Sequence, residues 1–289
     1  MNTQAVKNNI PKSARKLTHR NDSSTGIKTQ SRACHWLLTQ HRHRHQFTGL
    51  PADCIPANVD QAYAIQDAFV AAKARECGDV VGWKIALSNP AMQRFAGLSE
   101  PVAGRLHARQ VVTSPARTRV TDYGRLLIEF EIAVQLGEDL PPKVGDYSRS
   151  EVAAAIAAIR PAFELADDRH ADYTTLNLHG MQMVADNAWN EGAVLGQART
   201  DWRSLDLAAI RGVVSLDGTE IGTGHGSDLM GHPLDAFAWL ASHASRRGQT
   251  LRAGQVAILG SLVTSKFPLA GQSFQFALEG FDPISLQID

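Results

Sequence analysis

The chain is poor in cysteine, has no long apolar run and carries no excess charge of either sign. Cys34, Cys54 and Cys77 are its only cysteines and none belongs to a Cys-x-x-Cys pair, so they read as ordinary thiols in a reducing compartment. No apolar stretch approaches the ~18 residues of a membrane span, and no signal-peptide apolar segment is visible, which points to a soluble, cytoplasmic protein. A formal net charge of +0 gives no basic surface for nucleic acid, so the expected partner is a small molecule. No Ser-His-Asp order with a nucleophile elbow occurs, and the βα alternation of a doubly wound fold is missing.

What is present suits one large globular domain: 289 residues, 44% hydrophobic and 20% charged. Residues 1–30 are basic and nearly free of large apolar side chains, and they read as a disordered tail. Residues 31–289 read as a single catalytic domain, with a helical part over 31–79 and a mixed β core over 80–289. A helix is expected over Ala33–His45, where Arg42 and Arg44 interleave with His41 and His45 and suggest a solvated basic face. A second is expected over Val59–Glu76, ending at Gly78.

The most informative segment is Leu127 to Leu136, in which Ile128, Phe130, Ile132, Val134 and Leu136 alternate with Glu129, Glu131, Ala133 and Gln135. Two acids on one face of a strand stand roughly 6.5–7 Å apart at the backbone, close enough to share a cation if a third ligand closes the site. They can equally be the wet face of an amphipathic strand, but no basic residue on that face balances them. Glu164 is the third candidate. The capping pair Ser148 and Glu151 opens an alanine-rich helix over Val152–Ile159, Pro161 ends it, and a short strand follows. That order predicts a crossover laying the Glu164 strand parallel to the first. Three oxygen ligands without Cys or His favour Mg²⁺ or Mn²⁺.

Lys84 lies inside an apolar strand, Val80–Leu87, followed by the N-cap Asn89 and a helix from Pro90 to about Phe95. Near carboxylates such a lysine can serve as acid, base or carbonyl polariser. The C-terminal half reads as strands (Val213–Leu216, Glu220–Gly222, Val256–Leu259, Ser273–Leu278, Ile284–Ile288) around one helix, Leu234 to about Arg247. Gly222 to Gly226 reads as a loop, lacking the strand-turn-helix context of a nucleotide site.

Several segments together, Gly82-Trp83-Lys84-Ile85, Glu129-Phe130-Glu131-Ile132, Pro161-Ala162-Phe163-Glu164, Val184-Ala185-Asp186-Asn187, Gly231-His232-Pro233-Leu234 to Trp239-Leu240-Ala241, and Leu251-Arg252-Ala253-Gly254-Gln255, resemble the 2-keto-4-pentenoate hydratase and 4-oxalocrotonate decarboxylase branch of the fumarylacetoacetate hydrolase superfamily. The resemblance covers about residues 50–289 and implies an α+β fold around a rolled mixed β-sheet with flanking helices. It implies a divalent metal on Glu129, Glu131 and Glu164, a catalytic Lys84, and a homo-oligomer with a pathway decarboxylase or hydratase as partner. Ser88, Arg105, Asn187, Ser261 and Lys266 are the candidates for binding the substrate, a 2-oxo or 2-hydroxydienoate acid.

Two departures stand out. Val102 replaces an acidic residue of the hydratases, and Asp172-Tyr173-Thr174-Thr175-Leu176, with a small insertion, replaces a lysine after the third ligand. The expected reaction is hydration of a short monocarboxylic 2-hydroxydienoate, with Arg105 and Lys266 as the cations able to favour a diacid. Oxalocrotonate-type decarboxylation and acylpyruvate C–C hydrolysis are the enzymatic alternatives. A non-catalytic oxo-acid-binding or assembly subunit is the alternative of another class.

Overall fold

Alternating apolar residues in the C-terminal three-quarters of the chain build two sheets, and amphipathic segments build the helices that flank them. The computed structural model describes the backbone of residues 12–289 and the side chains from residue 26 onward. The helices are α1 (Lys12–His43), α2 (Val59–Cys77), α3 (Pro90–Phe95), α4 (Arg149–Ala155), α5 (Gly180–Ala185) and α6 (Pro233–Arg246). The strands are β1 (Val80–Ala86), β2 (Val102–His107), β3 (Val111–Thr113), β4 (Ala116–Thr118), β5 (Leu126–Leu136) and β6 (Ile156–Asp167), then β7 (Asn190–Leu195), β8 (Arg211–Leu216), β9 (Thr219–His225), β10 (Val256–Ser261), β11 (Ser273–Leu278) and β12 (Ile284–Ile288).

Seven strands pair in the order β2-β1-β10-β5-β6-β7-β3 and five in the order β4-β12-β11-β8-β9. Both sheets are mixed, with β1 parallel to β10 and β12 parallel to β4. Between the sheets Phe130 meets Phe163 at 5.8 Å and Phe276 at 6.0 Å between ring centroids, all three rings fully buried. Such pairs add about 0.5–1.5 kcal/mol each beyond their area burial. With Phe130 fixed inward, alternation turns Glu129 and Glu131 to the opposite face of the same strand.

Four local expectations are corrected. β5 and β6 are antiparallel, with Glu129 directly opposite Glu164. The intervening helix α4 has only 7 residues, and the chain turns back beside β5 instead of crossing the sheet. β6 also starts at Ile156, taking in the alanine-rich stretch expected to be helical, and Pro161 lies within it. Proline is tolerated there because the neighbouring carbonyl is served otherwise: Gly196 N donates to Pro161 O at 2.9 Å, while Gly196 O accepts from Arg160 Nη1 at 3.0 Å.

The first helix runs from Lys12, so it reaches well into the stretch expected to be disordered; residues 1–11 of that stretch lie outside the described residues. Ala33, Cys34 and Leu37 are buried, and Gln30 Nε2 donates to Ala64 O of α2 at 2.5 Å. A turn fixed by such packing lets helix propagate upstream at little further cost. The Gly222–Gly226 segment is largely strand β9: a Cβ on Gly224 would lie 1.9 Å from Leu262 O, so glycine lets β9 close on the segment after β10. No helix among the described residues is long and apolar enough to cross a membrane, and all three cysteines are free.

Candidate metal and active site

Glu129 and Glu131 from β5 and Glu164 from β6 converge, with one carboxylate oxygen of each within 4.8 Å of the others. Glu131 and Glu164 are 0% exposed, so this is no wet face. The cross-strand pairing of Glu129 with Glu164 sets the distance, and the bulge in β10 completes the pocket. At that bulge Gly260 takes φ +110° and turns its N–H to Glu131 Oε2 at 2.7 Å. Ser265 Oγ donates to Glu129 Oε1 at 2.8 Å, and Asn190 Nδ2 to Glu164 Oε1 at 2.9 Å.

Glu131 Oε1 and Glu164 Oε2 are buried without a hydrogen-bond partner. An unmet buried acceptor costs about 1–3 kcal/mol, and more when charged. Burial, then repulsion from Glu164, raises the Glu129 pKa, and the same causes raise Glu131 well above the ordinary carboxylate value. Acceptors of one sign facing one another with oxygens to spare could hold a hard cation.

Lys84 from β1 closes the group, with Nζ 2.9 Å from Glu164 Oε1 and only 2% exposure. β1 and β6 are three strand positions apart, roughly 14 Å along a flat sheet, so this contact reflects a sheet rolled around the site. Burial alone pulls the Lys84 pKa down most strongly, but Glu164, Glu129 and Glu131 together outweigh it, and the net direction is upward. Lys84 is thus a held ammonium.

Of these groups Lys84 and Glu129 open on a cavity of about 780 Å³, whose wall also includes Ser88, Trp189, Ser261 and Ser265, while Glu131 and Glu164 lie behind it, fully buried. Ser88 sits against the bulge, where a Cβ on Gly260 would lie 2.4 Å from its Oγ. Ser261 Oγ is committed to the backbone, accepting from Phe130 N at 2.9 Å and donating to Val263 O at 2.7 Å. A left-handed turn, Asn187-Ala188-Trp189 with φ of 54°, 45° and 62°, presents Ala188 and Trp189 to the cavity. Such backbone costs about 1–2 kcal/mol per residue and persists only where neighbours enforce it.

A sequence model described as the fumarylacetoacetate (FAA) hydrolase C-terminal family matches residues 70–288. The chain belongs to this family. It is 32% identical over 232 residues to a 2-keto-4-pentenoate hydratase of Paraburkholderia xenovorans (strain LB400), covering 80% of this chain and 84% of that one. It is 33% identical over 232 residues to a 2-hydroxyhexa-2,4-dienoate hydratase of Comamonas testosteroni, covering 79% and 86%. Its fold matches the 4-oxalocrotonate decarboxylase from Pseudomonas putida G7, solved with magnesium and adipate, at TM-score 0.82 and 22% identity over 91% of this chain and 98% of that one.

Three residues expected to face substrate in this fumarylacetoacetate hydrolase family member do not line the cavity. Arg105 pairs with Trp83 while Gly104 pairs with Lys84, so alternation sends Arg105 to the other face. There it lies 3.3 Å from the Trp83 ring centroid and donates to Gln249 Oε1 at 2.7 Å. Asn187 is a brace: its Oδ1 accepts from Arg105 N at 2.7 Å and its Nδ2 donates to Arg105 O at 3.0 Å, which holds the left-handed turn. Lys266 exchanges backbone hydrogen bonds with Ile128, and its neighbours Ser265 and Phe267 take the wall positions.

Of the two departures, Val102 lines a separate cavity with Tyr63 and His243, whereas Tyr173 stands on the wall of the main one. His41, expected to be solvated, is 11% exposed, with Nε2 2.5 Å from Asp186 and Nδ1 2.8 Å from Glu191.

Proposed function

We propose that this protein is a divalent-metal-dependent hydro-lyase that adds water to a 2-hydroxy-2,4-dienoate. The observation that carries the reading is the trio Glu129, Glu131 and Glu164 with Lys84 as its only close ammonium among the described residues, beside a mainly apolar cavity that Lys84 and Glu129 line. One ammonium against three ionised carboxylates leaves two negative charges in excess, which a doubly charged ion balances. Mg²⁺ or Mn²⁺ suits an all-oxygen set and, when bound, supplies a Lewis acid for a substrate carboxylate and adjacent 2-oxo oxygen. Hydratase relatives at 32% and 33% identity support the same chemistry.

The protein's own groups then have defined tasks. Glu164 fixes Lys84 Nζ, which holds the proton to be moved as the dienol becomes the 2-oxo-3-enoate. Ser265 orients Glu129, and Asn190 orients Glu164, so neither carboxylate swings toward solvent. Water adds across C3 and C4, hydroxyl to C4 and proton to C3, while the apolar wall limits access of bulk solvent. Decarboxylation of an oxalocrotonate-type diacid needs a cation for the second carboxylate, and among the described residues on the cavity wall Lys84 is the only Lys or Arg. The test is dienol decay in the ultraviolet with Mg²⁺, with carbon dioxide measured in parallel. Hydrated product without carbon dioxide is expected, and stoichiometric carbon dioxide refutes the reading.

A further inference from the structure

We infer that the site selects a 2-hydroxydienoate bearing an aryl-sized apolar substituent at the end remote from its carboxylate. The inference rests on the hydratase reading for the position of the carboxylate, beside Lys84 and the three glutamates. The cavity measures about 780 Å³. That lies in the upper part of the ~300–1,000 Å³ range of sites that enclose drug-sized ligands, far beyond the needs of a five-carbon acid.

The space is distributed unevenly in chemistry. Beyond the charged end, Tyr173 anchors an aromatic fence, with ring centroids 6.1 Å from Phe95, 6.4 Å from Trp189 and 6.5 Å from Phe267. All four residues are on the cavity wall. The Tyr173 hydroxyl donates to the fully buried Asp168 at 2.7 Å, so the polar end of the ring is held by the protein and is not needed by a ligand. Phe95 and Phe267 are 44% and 46% exposed, apolar surface at the cavity that a hydrophobic substituent would cover.

Among the described residues the same wall offers no cation besides Lys84 to a second carboxylate. Arg125 lies 4.6 Å from the Phe267 ring centroid and 5.5 Å from that of Tyr173, but its Nε donates to Asp168 Oδ1 at 2.7 Å, its Nη2 contacts the other oxygen of that carboxylate, and it is not on the wall. Asp228 is on the wall and adds repulsion. Tyr173, which anchors the fence, lies in the segment where the sequence departs from the hydratase pattern.

The test compares kcat/KM of the Mg²⁺-loaded protein for 2-hydroxypenta-2,4-dienoate, its 5-phenyl derivative and a 2-hydroxymuconate-type diacid. The phenyl compound should lead the unsubstituted one by about 10-fold or more, the scale set by filling an apolar pocket, with the diacid last. Phe95→Ala and Phe267→Ala, both at half-exposed positions that leave the core intact, should each lower kcat/KM for the phenyl compound by about 5-fold through KM and lower it less for the unsubstituted one. Preference for the unsubstituted acid or the diacid, or equal losses on the phenyl and unsubstituted compounds in both variants, overturns the inference. If no dienoate turns over, the hydratase reading falls, while the affinities of the unreactive 5-phenyl-2-oxopentanoate and 2-oxopentanoate, measured by calorimetry with Mg²⁺, still decide selectivity. Equal affinities overturn it.

Discussion

Replacing Lys84 by Met separates what the ammonium does for the fold from what it does for the reaction. The side chain is 2% exposed and its Nζ lies 2.9 Å from Glu164 Oε1, so Met keeps the stem's packing and removes a close positive charge from three carboxylates. Breaking a buried pair in this way costs about 3–5 kcal/mol, which for a domain of this size lowers the melting temperature by roughly 6–20 °C. The lower end is expected, because Glu129 and Glu131 already have raised pKa values and relieve the imbalance by taking up a proton. Mg²⁺ should restore most of that loss and bind at least as tightly as in the wild type, since a like charge has been removed from its site. Turnover should not return: losing a positioned proton carrier lowers kcat by about 10²- to 10⁴-fold, or roughly 2.7–5.4 kcal/mol. Melting curves with and without Mg²⁺, calorimetric Mg²⁺ titration and the ultraviolet dienol assay read these three quantities separately. Wild-type kcat at saturating Mg²⁺ would refute the reasoning and leave Lys84 as a packing residue.

Glu131→Gln should raise or preserve the melting temperature of the metal-free protein, since it removes one of three mutually repelling buried charges, while abolishing the stabilisation of about 2.7 kcal/mol expected at a Mg²⁺ concentration of 100 times Kd. An unchanged Mg²⁺ response in thermal melts would disprove the three-carboxylate site. Gly260→Ala combines a left-handed φ of +110° with a Cβ only 2.4 Å from Ser88 Oγ. It should cost about 2 kcal/mol or more in denaturant melts and weaken Mg²⁺ binding by shifting the N–H that holds Glu131; wild-type stability would contradict this. Glu191 has a lowered pKa because Lys73 at 2.6 Å and His41 at 2.8 Å outweigh its burial, the largest single influence. With the folded pKa below an unfolded value near ~4.3, its stabilisation is complete at neutral pH and is lost as pH falls below about 4. Glu191→Gln should therefore cost about 3 kcal/mol at pH 7 and progressively less toward pH 3, and a gap independent of pH would argue against the ion pairs.

What could be read from the sequence was what local periodicity encodes. Alternation in β5 places Glu129 and Glu131 on a common face whatever the strand pairing, and Asn89 and Ser148 announce the starts of their helices because each cap acts within a few residues. Partners contributed across the fold left no such trace. Asn190 supports Glu164 from a neighbouring strand and Ser265 supports Glu129 from after the bulge, and neither Asn nor Ser in a loop-like context stands out among many. Arg105 illustrates the other kind of loss. Its charge and nearness in sequence suggest a cation at the site, but the register sets Gly104, not Arg105, opposite Lys84, and a shift of one residue in a strand reverses the face. The direction of β6 was hidden for a related reason: Ala154 to Ala158 has helix-forming composition, but pairing of Gln135 with Ala158 and Leu136 with Ile156 draws its second half into the sheet.

Burial alone would not have separated the site from the scaffold, because the described residues also bury a second cluster of charge. In the second, Asp186 meets Arg169 and His41, and Glu191 meets His41, Lys73 and Gln110. Two carboxylates face two permanent cations there even before His41 is counted, no carboxylate oxygen is left without a partner, and both acids have lowered pKa values. Glu129, Glu131 and Glu164 reverse each of these properties: a single ammonium serves three carboxylates, buried oxygens stay unpaired, and Glu129 and Glu131 have raised pKa values. A balanced cluster has already spent its electrostatic energy on tying α1 to α5 and β7. An unbalanced one retains it for a ligand, and an imbalance of two charges beside a mainly apolar cavity is of the size and sign that a divalent ion offsets.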